Sequence, residues 1–475
     1  MDSFFIKIPH FFCQKHLTNR PKFAAKPIEY ILFLSTGGDF LLPVNPGGHA
    51  AYQNFVATNL RKYYPNPDAF SPATWDIIER FWNLDLSYTD DLLRSKYSVF
   101  GPKPRTPSCM QRSYLLSIDF KIHSLTDWAA QLKINPLYAI LSGFEFGDTP
   151  GVGTFYDFLS RLWDSEDSNL SSHLRPAKEK RIKKPTQKGV KAESVEKVSV
   201  DQLLGQLEAA SFVLDDQPYS SLFKIYHREF LSQSITKGLI DPSVLSLAGD
   251  GTPVVTSARE RKHPASKHDS LGFLETWFRM KAFLPDLHVS KWLLDSAHDA
   301  MPYYIYCRKN HIQPFIDLNV KRGIKVKYKN DFTIGEDGVP VCKAGRKMRH
   351  DGSEPSKGRL KFRCPLASRK YGCSCIHPCS DSKYGRTVHL AMKDNPRLIN
   401  FPPRDTKEWK KEFNARTSAE RSNKCEKIGF QLESGRHRST KMWYCRLYHI
   451  MMLQHLDAWD LPFESPLRKL ILEVA

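Results

Sequence analysis

The spacing of apolar residues is helical up to about residue 170. Ser124-Leu-Thr-Asp127 is a capping-box-like start and predicts a helix running to about Lys133. Asn135-Pro136 opens the next helix, PLYAILSGF. The turn GDTPGVG then leads to Thr154, which caps FYDFLSRLW with Asp157 three residues later. Three short helices joined by tight turns suit a helix-turn-helix reader of DNA, and suit a plain helical bundle equally well.

Residues 171–200 have no apolar period and carry nine Lys and Arg against three Glu. Such a stretch is a flexible basic linker, either a solvated tether or an arm that tracks phosphates. From about residue 243 short apolar runs end in a turn or an acid. SVLSLAGDGTPV does so at Asp250, HVSKWLLDSAHDA at Asp295, and QPFIDLNV is a third run, around Phe315 to Leu318. These runs predict buried strands of a mixed α/β sheet, and strand ends are where such sheets keep site residues. Between about 325 and 400 the pattern gives way to Gly, Lys and Cys. Helical spacing returns at about Thr406 and continues through RHRSTKMWYCRLYHIMMLQHL. The expected divisions are a helical region at 1–170 and a linker with connecting helices at 171–235. The first part of an α/β domain follows at 236–330, an inserted Cys-rich subdomain at 331–400, and the C-terminal helices of that same α/β domain at 401–475.

Charge narrows the partners. The 475 residues hold 70 Lys and Arg against 51 Asp and Glu, a net +19. That excess suits an anionic partner, nucleic acid before a membrane surface. No apolar run approaches the roughly 18–20 residues of a spanning helix. The opening MDSFFIKIPHFF, with an acid at position 2 and breaks at Lys7 and His10, does not read as a secretory signal. The expected compartment is therefore the cytosol, where ten cysteines are not a disulfide framework. There is no G-x-S-x-G element and no P-loop, so acyl and nucleoside-triphosphate chemistry lack support.

One stretch spends its residues on charge: FNARTSAERSNKCEK, residues 413–427. On a continuous helix Phe413, Arg416, Glu420, Lys424 and Lys427 fall at roughly 0°, −60°, −20°, +20° and −40°. One carboxylate would then sit among three cations and a ring on a single face. A solvated face with ordinary ion pairs has this composition, and so does a site holding a metal ion beside a phosphate chain. Asp250, Asp295 and Glu420 are the candidate acids, with Asp299 and Asp317 as rivals for the second position. Three converging carboxylates repel one another, and divalent cations relieve the repulsion. Mg²⁺ takes oxygen ligands while keeping positions for water and phosphate. Two such ions about 3.5–4 Å apart serve phosphoryl transfer.

At these residues the chain resembles the bacterial insertion-sequence transposases of the DDE type. Phe413-x2-Arg416-x3-Glu420-x6-Lys427 matches the spacing of the family's Tyr-Arg-Glu-Lys signature, with Phe in place of Tyr. GDGTPV around Asp250 and LLDSAHDA around Asp295 resemble its first and second acid motifs, and residues 136–162 resemble its N-terminal helical region. The resemblance implies an RNase H-like catalytic domain, a mixed sheet flanked by helices, behind an N-terminal all-α DNA-binding region. It implies that Asp250, Asp295 and Glu420 hold two Mg²⁺ or Mn²⁺ ions. It implies that Phe413, Arg416, Lys424 and Lys427 face DNA, although Phe413 lacks the family's hydroxyl. The partners implied are double-stranded DNA, as terminal inverted repeats and as target, and a second copy of the chain on that DNA, with no membrane. The setting implied is the bacterial cytoplasm, at the nucleoid. A DNA-binding derivative that has lost catalysis and a metal-dependent nuclease that does not transpose are the alternatives.

The 124 residues between Asp295 and Glu420 form a long interval, where the resemblance implies an inserted β-rich subdomain. Cys364, Cys373, Cys375 and Cys379 lie there with His377 and Cys342. The spacing Cys364-x8-Cys373-x-Cys375-x3-Cys379 suits a structural Zn²⁺ or thiols in a basic loop. Lys361, Arg363, Arg369 and Lys370 with Phe362 and Tyr371 compose either a surface for a DNA strand or an ordinary solvated loop.

Overall fold

The structure, a computed structural model, describes residues 5–7, 48–66, 70–98, 100–165, 198–250, 269–319, 332–335, 338–368, 372–376, 378–393, 396–434, 439–459 and 466–472. The fold is mixed α/β, and among the described residues one four-stranded sheet is accompanied by three smaller ones. The basic linker lies almost wholly outside the described residues.

A short strand, β1 (Phe5–Lys7), precedes seven helices: α1 (Gly48–Tyr63), α2 (Pro72–Trp82), α3 (Ser87–Leu93), α4 (Pro107–Asp119), α5 (Leu125–Ile134), α6 (Pro136–Ser142) and α7 (Val152–Arg161). Two of the expected starts are met. The Ser124 hydroxyl accepts from the Asp127 N–H at 3.2 Å, and the Asn135 side chain accepts from the Leu137 N–H at 3.0 Å. Helix α7 begins earlier than expected, with Gly151 at its cap and Thr154 inside the first turn. It buries Phe155, Phe158 and Leu159, and turns Tyr156, Asp157 and Ser160 outward. The buried stripe joins the core that α7 shares with its neighbouring helices. Helix α4 is buried from Pro107 to Ile118 and forms the axis of this core.

Helices α8 (Val200–Ala209), α9 (Ser220–Ile225) and α10 (Ser232–Thr236) lead to the sheet, with a π-helical turn over Tyr226–Leu231. The three apolar runs are strands, as expected: β2 (Leu245–Asp250), β3 (Val289–Leu294) and β4 (Gln313–Ile316). They are mutually parallel, and α11 (Asp269–Phe283) and α12 (Met301–Lys309) make the crossovers. Strand β1 adds antiparallel to the free edge of β2, so part of the stretch expected to be all-helical joins the sheet.

Alternation along the strands divides two layers. Leu247, Trp292, Leu294 and Ile316 pack with Phe273 of α11 and with Tyr303 and Tyr306 of α12. Ala248, Leu293 and Phe315 face the other way, onto Trp409 and Ala419. Each fully buried large side chain in these layers contributes about 1.5–3 kcal/mol.

The interval after β4 is β-rich among its described residues: β5 (Phe332–Ile334), β6 (Pro340–Cys342), β7 (Arg349–Glu354), β8 (Arg359–Arg363), β9 (Ala367–Ser368), β10 (Gly372–Cys373) and β11 (Thr387–Ala391). Strands β11, β8 and β7 form an antiparallel sheet with its own core, built on Leu360, Phe362, Val388 and Leu390. Phe362 is 1% exposed, so it belongs to that core and not to a nucleic-acid surface. Lys361 and Arg363, which flank it on the opposite face, both pair with Asp351.

Two arginines, Arg397 half-buried and Arg404 buried, fasten the end of the interval to the sheet. Arg397 grips Asp299 through Nε (2.9 Å to each oxygen) and Nη2 (2.6 Å), and Arg404 donates to the Ile316 carbonyl at 3.1 and 3.2 Å. The chain then enters α13 (Lys407–Asn414) and α14 (Thr417–Lys424), a π-helical turn over Cys425–Gly429, α15 (Thr440–Ala458) and α16 (Pro466–Leu472). The last two helices leave the sheet. Trp443, Leu447, Ile450, Leu453, Leu467 and Ile471 complete the core of α1–α7.

Candidate active site

Strands β2 and β3 pair with Gly249 opposite Leu294, so Asp250 and Asp295 leave adjacent strands at neighbouring carboxyl ends. Gly249 has a steric reason. A Cβ there would stand 2.4 Å from Cδ2 of Phe273 and 2.7 Å from Cδ2 of Leu294. The missing side chain lets α11 close directly over the strand that delivers Asp250.

Glu420 arrives from the opposite layer. The expected continuous helix over 413–427 is interrupted: Phe413 lies in the last turn of α13, Glu420 rides on α14, and Lys427 lies in the π-helical turn. The local cause is side-chain competition for carbonyls. The Thr417 hydroxyl donates to the Asn414 carbonyl at 2.8 Å, and the Ser418 hydroxyl to the Ala415 carbonyl at 2.6 Å. The single charged face is therefore broken. Phe413 stacks on Trp409 at 4.7 Å with an interplanar angle of 15°, joining the apolar layer beneath α13. Lys427 pairs with Glu433 at 3.2 Å, and Lys424 is exposed. Next to Glu420, Ala419 is buried against Ala248 and Leu293, and its small size brings α14 down onto β2.

The three acids come within electrostatic reach of one another. Asp250 is harder to ionise than an ordinary aspartate. Burial raises its pKa most, Arg416 opposes the rise, and the charges of Asp295 and Glu420 push it up further, against a hydrogen bond from Asn423. Asp295 moves the other way. Burial is its largest single influence and is upward, but His298, the Ala297 N–H and Arg416 together carry its pKa below the ordinary value. The ring Nδ1 of His298 lies 2.6 Å from Asp295 Oδ1, and the Ala297 N–H donates to the same oxygen at 3.1 Å. His298 is buried between the rings of Phe273 and Tyr303. Arg416 supplies the positive charge, pairing with Glu420 at 2.6 Å while acting on both aspartates.

Of the two rivals, Asp299 is fully buried and occupied by Arg397, the Tyr304 hydroxyl (2.9 Å) and the Asn319 N–H (2.7 Å). That makes it a structural ion pair. Asp317 is exposed at the end of β4, where its carboxylate accepts from the Leu318 N–H at 3.0 Å. Two polar neighbours of the acids were not singled out from sequence: His298, three residues after Asp295, and Asn423, three residues after Glu420. The i, i+3 spacing places Asn423 on the Glu420 face of α14, and that spacing is the signal by which sequence alone would find it.

The acids suit a cation chemically, since mutual repulsion is part of what resists ionisation of Asp250. They do not yet form a closed ligand shell. Among the described residues no three His, Cys, Asp or Glu side chains stand together in a group able to hold one ion. Glu420 is committed to Arg416. In the Cys-rich interval Cys364 is buried against Gly385, Cys375 is half-buried and Cys379 exposed. The side chain of Cys373 and all of His377, Arg369, Lys370 and Tyr371 lie outside the described residues.

Among the described residues no helix is long and apolar enough to cross a membrane. No family model, no curated protein and no solved structure matches the chain.

Proposed function

We propose that the chain is a DNA transposase of the DDE type with an RNase H-like catalytic domain, acting by metal-dependent cleavage and strand transfer at the inverted-repeat ends of its own element. One observation carries the reading. Acids separated by 45 and 125 residues lie within electrostatic reach of one another, Asp250 and Asp295 at neighbouring carboxyl ends of parallel strands and Glu420 on α14, so that the charges of the last two raise the pKa of the first. Stability gains nothing from that repulsion, whereas phosphoryl transfer uses it. The order of the parallel strands β2, β3 and β4, with β2 ending in Asp250 and β3 running directly into Asp295, supports the same reading.

The residues have separable parts in it. Asp250, Asp295 and Glu420 would hold two Mg²⁺ or Mn²⁺ ions, which when bound activate the attacking oxygen and stabilise the leaving one. Sharing a cation requires Glu420 to give up its ion pair with Arg416. Arg416, so released, is then available to a DNA phosphate beside the same carboxylate. Lys424 is exposed for the same use. Lys427 would first have to leave Glu433. Phe413 serves as packing that seats α13, so the loss of the family's hydroxyl leaves the geometry of the acids intact. The net charge of +19 and the basic linker favour the long anionic partner, with the N-terminal helices as its second contact region and a homodimer on DNA as the working form.

The test is cleavage of duplexes that carry the inverted repeats flanking the gene, in Mg²⁺, beside random duplexes of equal length. The expected result is cutting at the repeat ends alone. Equal cutting of both would make the protein a general nuclease. Tight binding without cutting, in Mg²⁺ and in Mn²⁺, would make it a DNA-binding derivative of such an enzyme.

A further inference from the structure

Asp250 and Asp295 are each held by one oxygen. The Asn423 side chain donates to Asp250 Oδ2 at 2.8 Å, and Asp250 Oδ1 receives no hydrogen bond among the described residues. At Asp295 both the His298 ring and the Ala297 N–H reach Oδ1, and Oδ2 receives none among the described residues. The two clamps differ in origin. Asp295 is fixed by its own turn, residues 297 and 298, whereas Asp250 is fixed from across the sheet by a residue of α14. Asn423 sits on the same helix as Glu420, one turn further on.

Resting on the transposase reading above, we infer that Asn423 is a positioning residue for divalent-cation binding. It orients the Asp250 carboxylate so that Oδ1 is presented, and it registers α14, with Glu420, against the end of β2. An amide suits the position. It donates to a carboxylate without adding charge to a cluster that already holds three acids, where a lysine would neutralise the cluster and an aspartate would deepen the repulsion. A single hydrogen bond thus sets both the facing of the first acid and the approach of the third. No described residue of the strand that carries Asp250 supplies that bond.

The experiment compares Asn423→Leu with the wild type, using Mn²⁺ itself as the probe. Leucine keeps the branching at Cγ, removes the donor and raises helix propensity; Asn423→Ala provides the same comparison should the leucine variant not fold. Mn²⁺ affinity is read directly by electron paramagnetic resonance, without DNA, and cleavage is read against Mn²⁺ concentration. The expected result is Mn²⁺ affinity about 10- to 100-fold weaker, the range for loss of a hydrogen bond that orients a ligand. Cleavage should recover toward the wild-type rate at saturating Mn²⁺. Unchanged Mn²⁺ affinity in the variant would overturn the inference while leaving the transposase reading in place. So would an equal loss of cleavage at every Mn²⁺ concentration. A wild-type protein whose Mn²⁺ binding is absent, or is indifferent to Asp250→Asn, would overturn both.

Discussion

Asparagine substitutions at 295 and at 299, four residues apart, should have opposite consequences. Asp299 is 0% exposed and shares a buried ion pair with Arg397, whose side chain is 12% exposed. Asp299→Asn preserves the shape, and its amide oxygen can still accept from the Tyr304 hydroxyl or the Asn319 N–H. It leaves the Arg397 guanidinium without its counter-charge. Breaking a buried pair from one side costs about 3–5 kcal/mol, against a total domain stability of about 5–15 kcal/mol. The variant should therefore unfold at a clearly lower urea concentration with an unchanged slope. Asp295 is 38% exposed, and an asparagine there can still accept from His298 and from the Ala297 N–H. Exchanging charged for neutral hydrogen bonds costs about 1 kcal/mol. Asp295→Asn should thus stay folded while losing Mn²⁺ binding and DNA cleavage. Urea unfolding and Mn²⁺ titration on both variants check this together. An Asp299→Asn protein as stable as wild type yet unable to bind Mn²⁺, beside an Asp295→Asn protein that still cuts, would refute the assignment of the second acid.

Gly249→Ala should destabilise by about 1–3 kcal/mol as the new Cβ forces Phe273 off β2; a melting point equal to wild type would show that the ring gives way freely. Glu229 is buried in the π-helical turn, accepts both the N–H and the hydroxyl of Thr89, and has its pKa raised to about 8 by burial above all. Its contribution to stability is complete below the unfolded carboxylate value and fades as pH rises through about 8. Glu229→Gln should remove that decline, which is at most about 1.4 kcal/mol per pH unit. Urea unfolding at pH 5 and pH 8.5 measures it, and parallel curves for the two proteins would contradict it. Metal analysis of protein purified without chelator should return about one zinc per chain if Cys364, Cys373, Cys375 and Cys379 close on an ion; a folded, zinc-free protein excludes it.

The parts of the fold that were legible are those fixed by local rules. LSLA, KWLL and PFI are short apolar runs flanked by breakers, and all three are strands. Ser124 and Asn135 cap because their oxygens meet orphan N–H groups three and two residues on. The adjacency of Asp250 and Asp295 follows once two such strands run parallel. What stayed hidden depends on partners remote in sequence. The role of Asp299 is set by Arg397, 98 residues later, and no periodicity announces it. The interruption of the charged helix depends on which hydroxyls of Thr417 and Ser418 turn inward. Phe413 has the character of a DNA-facing ring until Trp409 is placed beneath it. Helix α15 falls in the stretch expected to belong with the α/β domain, yet its apolar residues match the core of α1–α7.

That last arrangement has a consequence for how the protein is made. Arg446 reaches the ring of His123, and His449 reaches Gln111, so groups some 320–340 positions apart finish one another's hydrogen bonding. A ribosome adding about 5–20 residues per second exposes the first seven helices long before it has synthesised α15. For the 277 residues between positions 163 and 440 the delay is roughly 14–55 s at that pace. Throughout that interval the apolar faces awaiting Trp443, Leu447 and Ile450 stand open. A chain released early, by a stop codon or a nick before residue 440, would lack the piece that closes its beginning. The N-terminal helices would then be a target for chaperones and proteases rather than a domain in their own right.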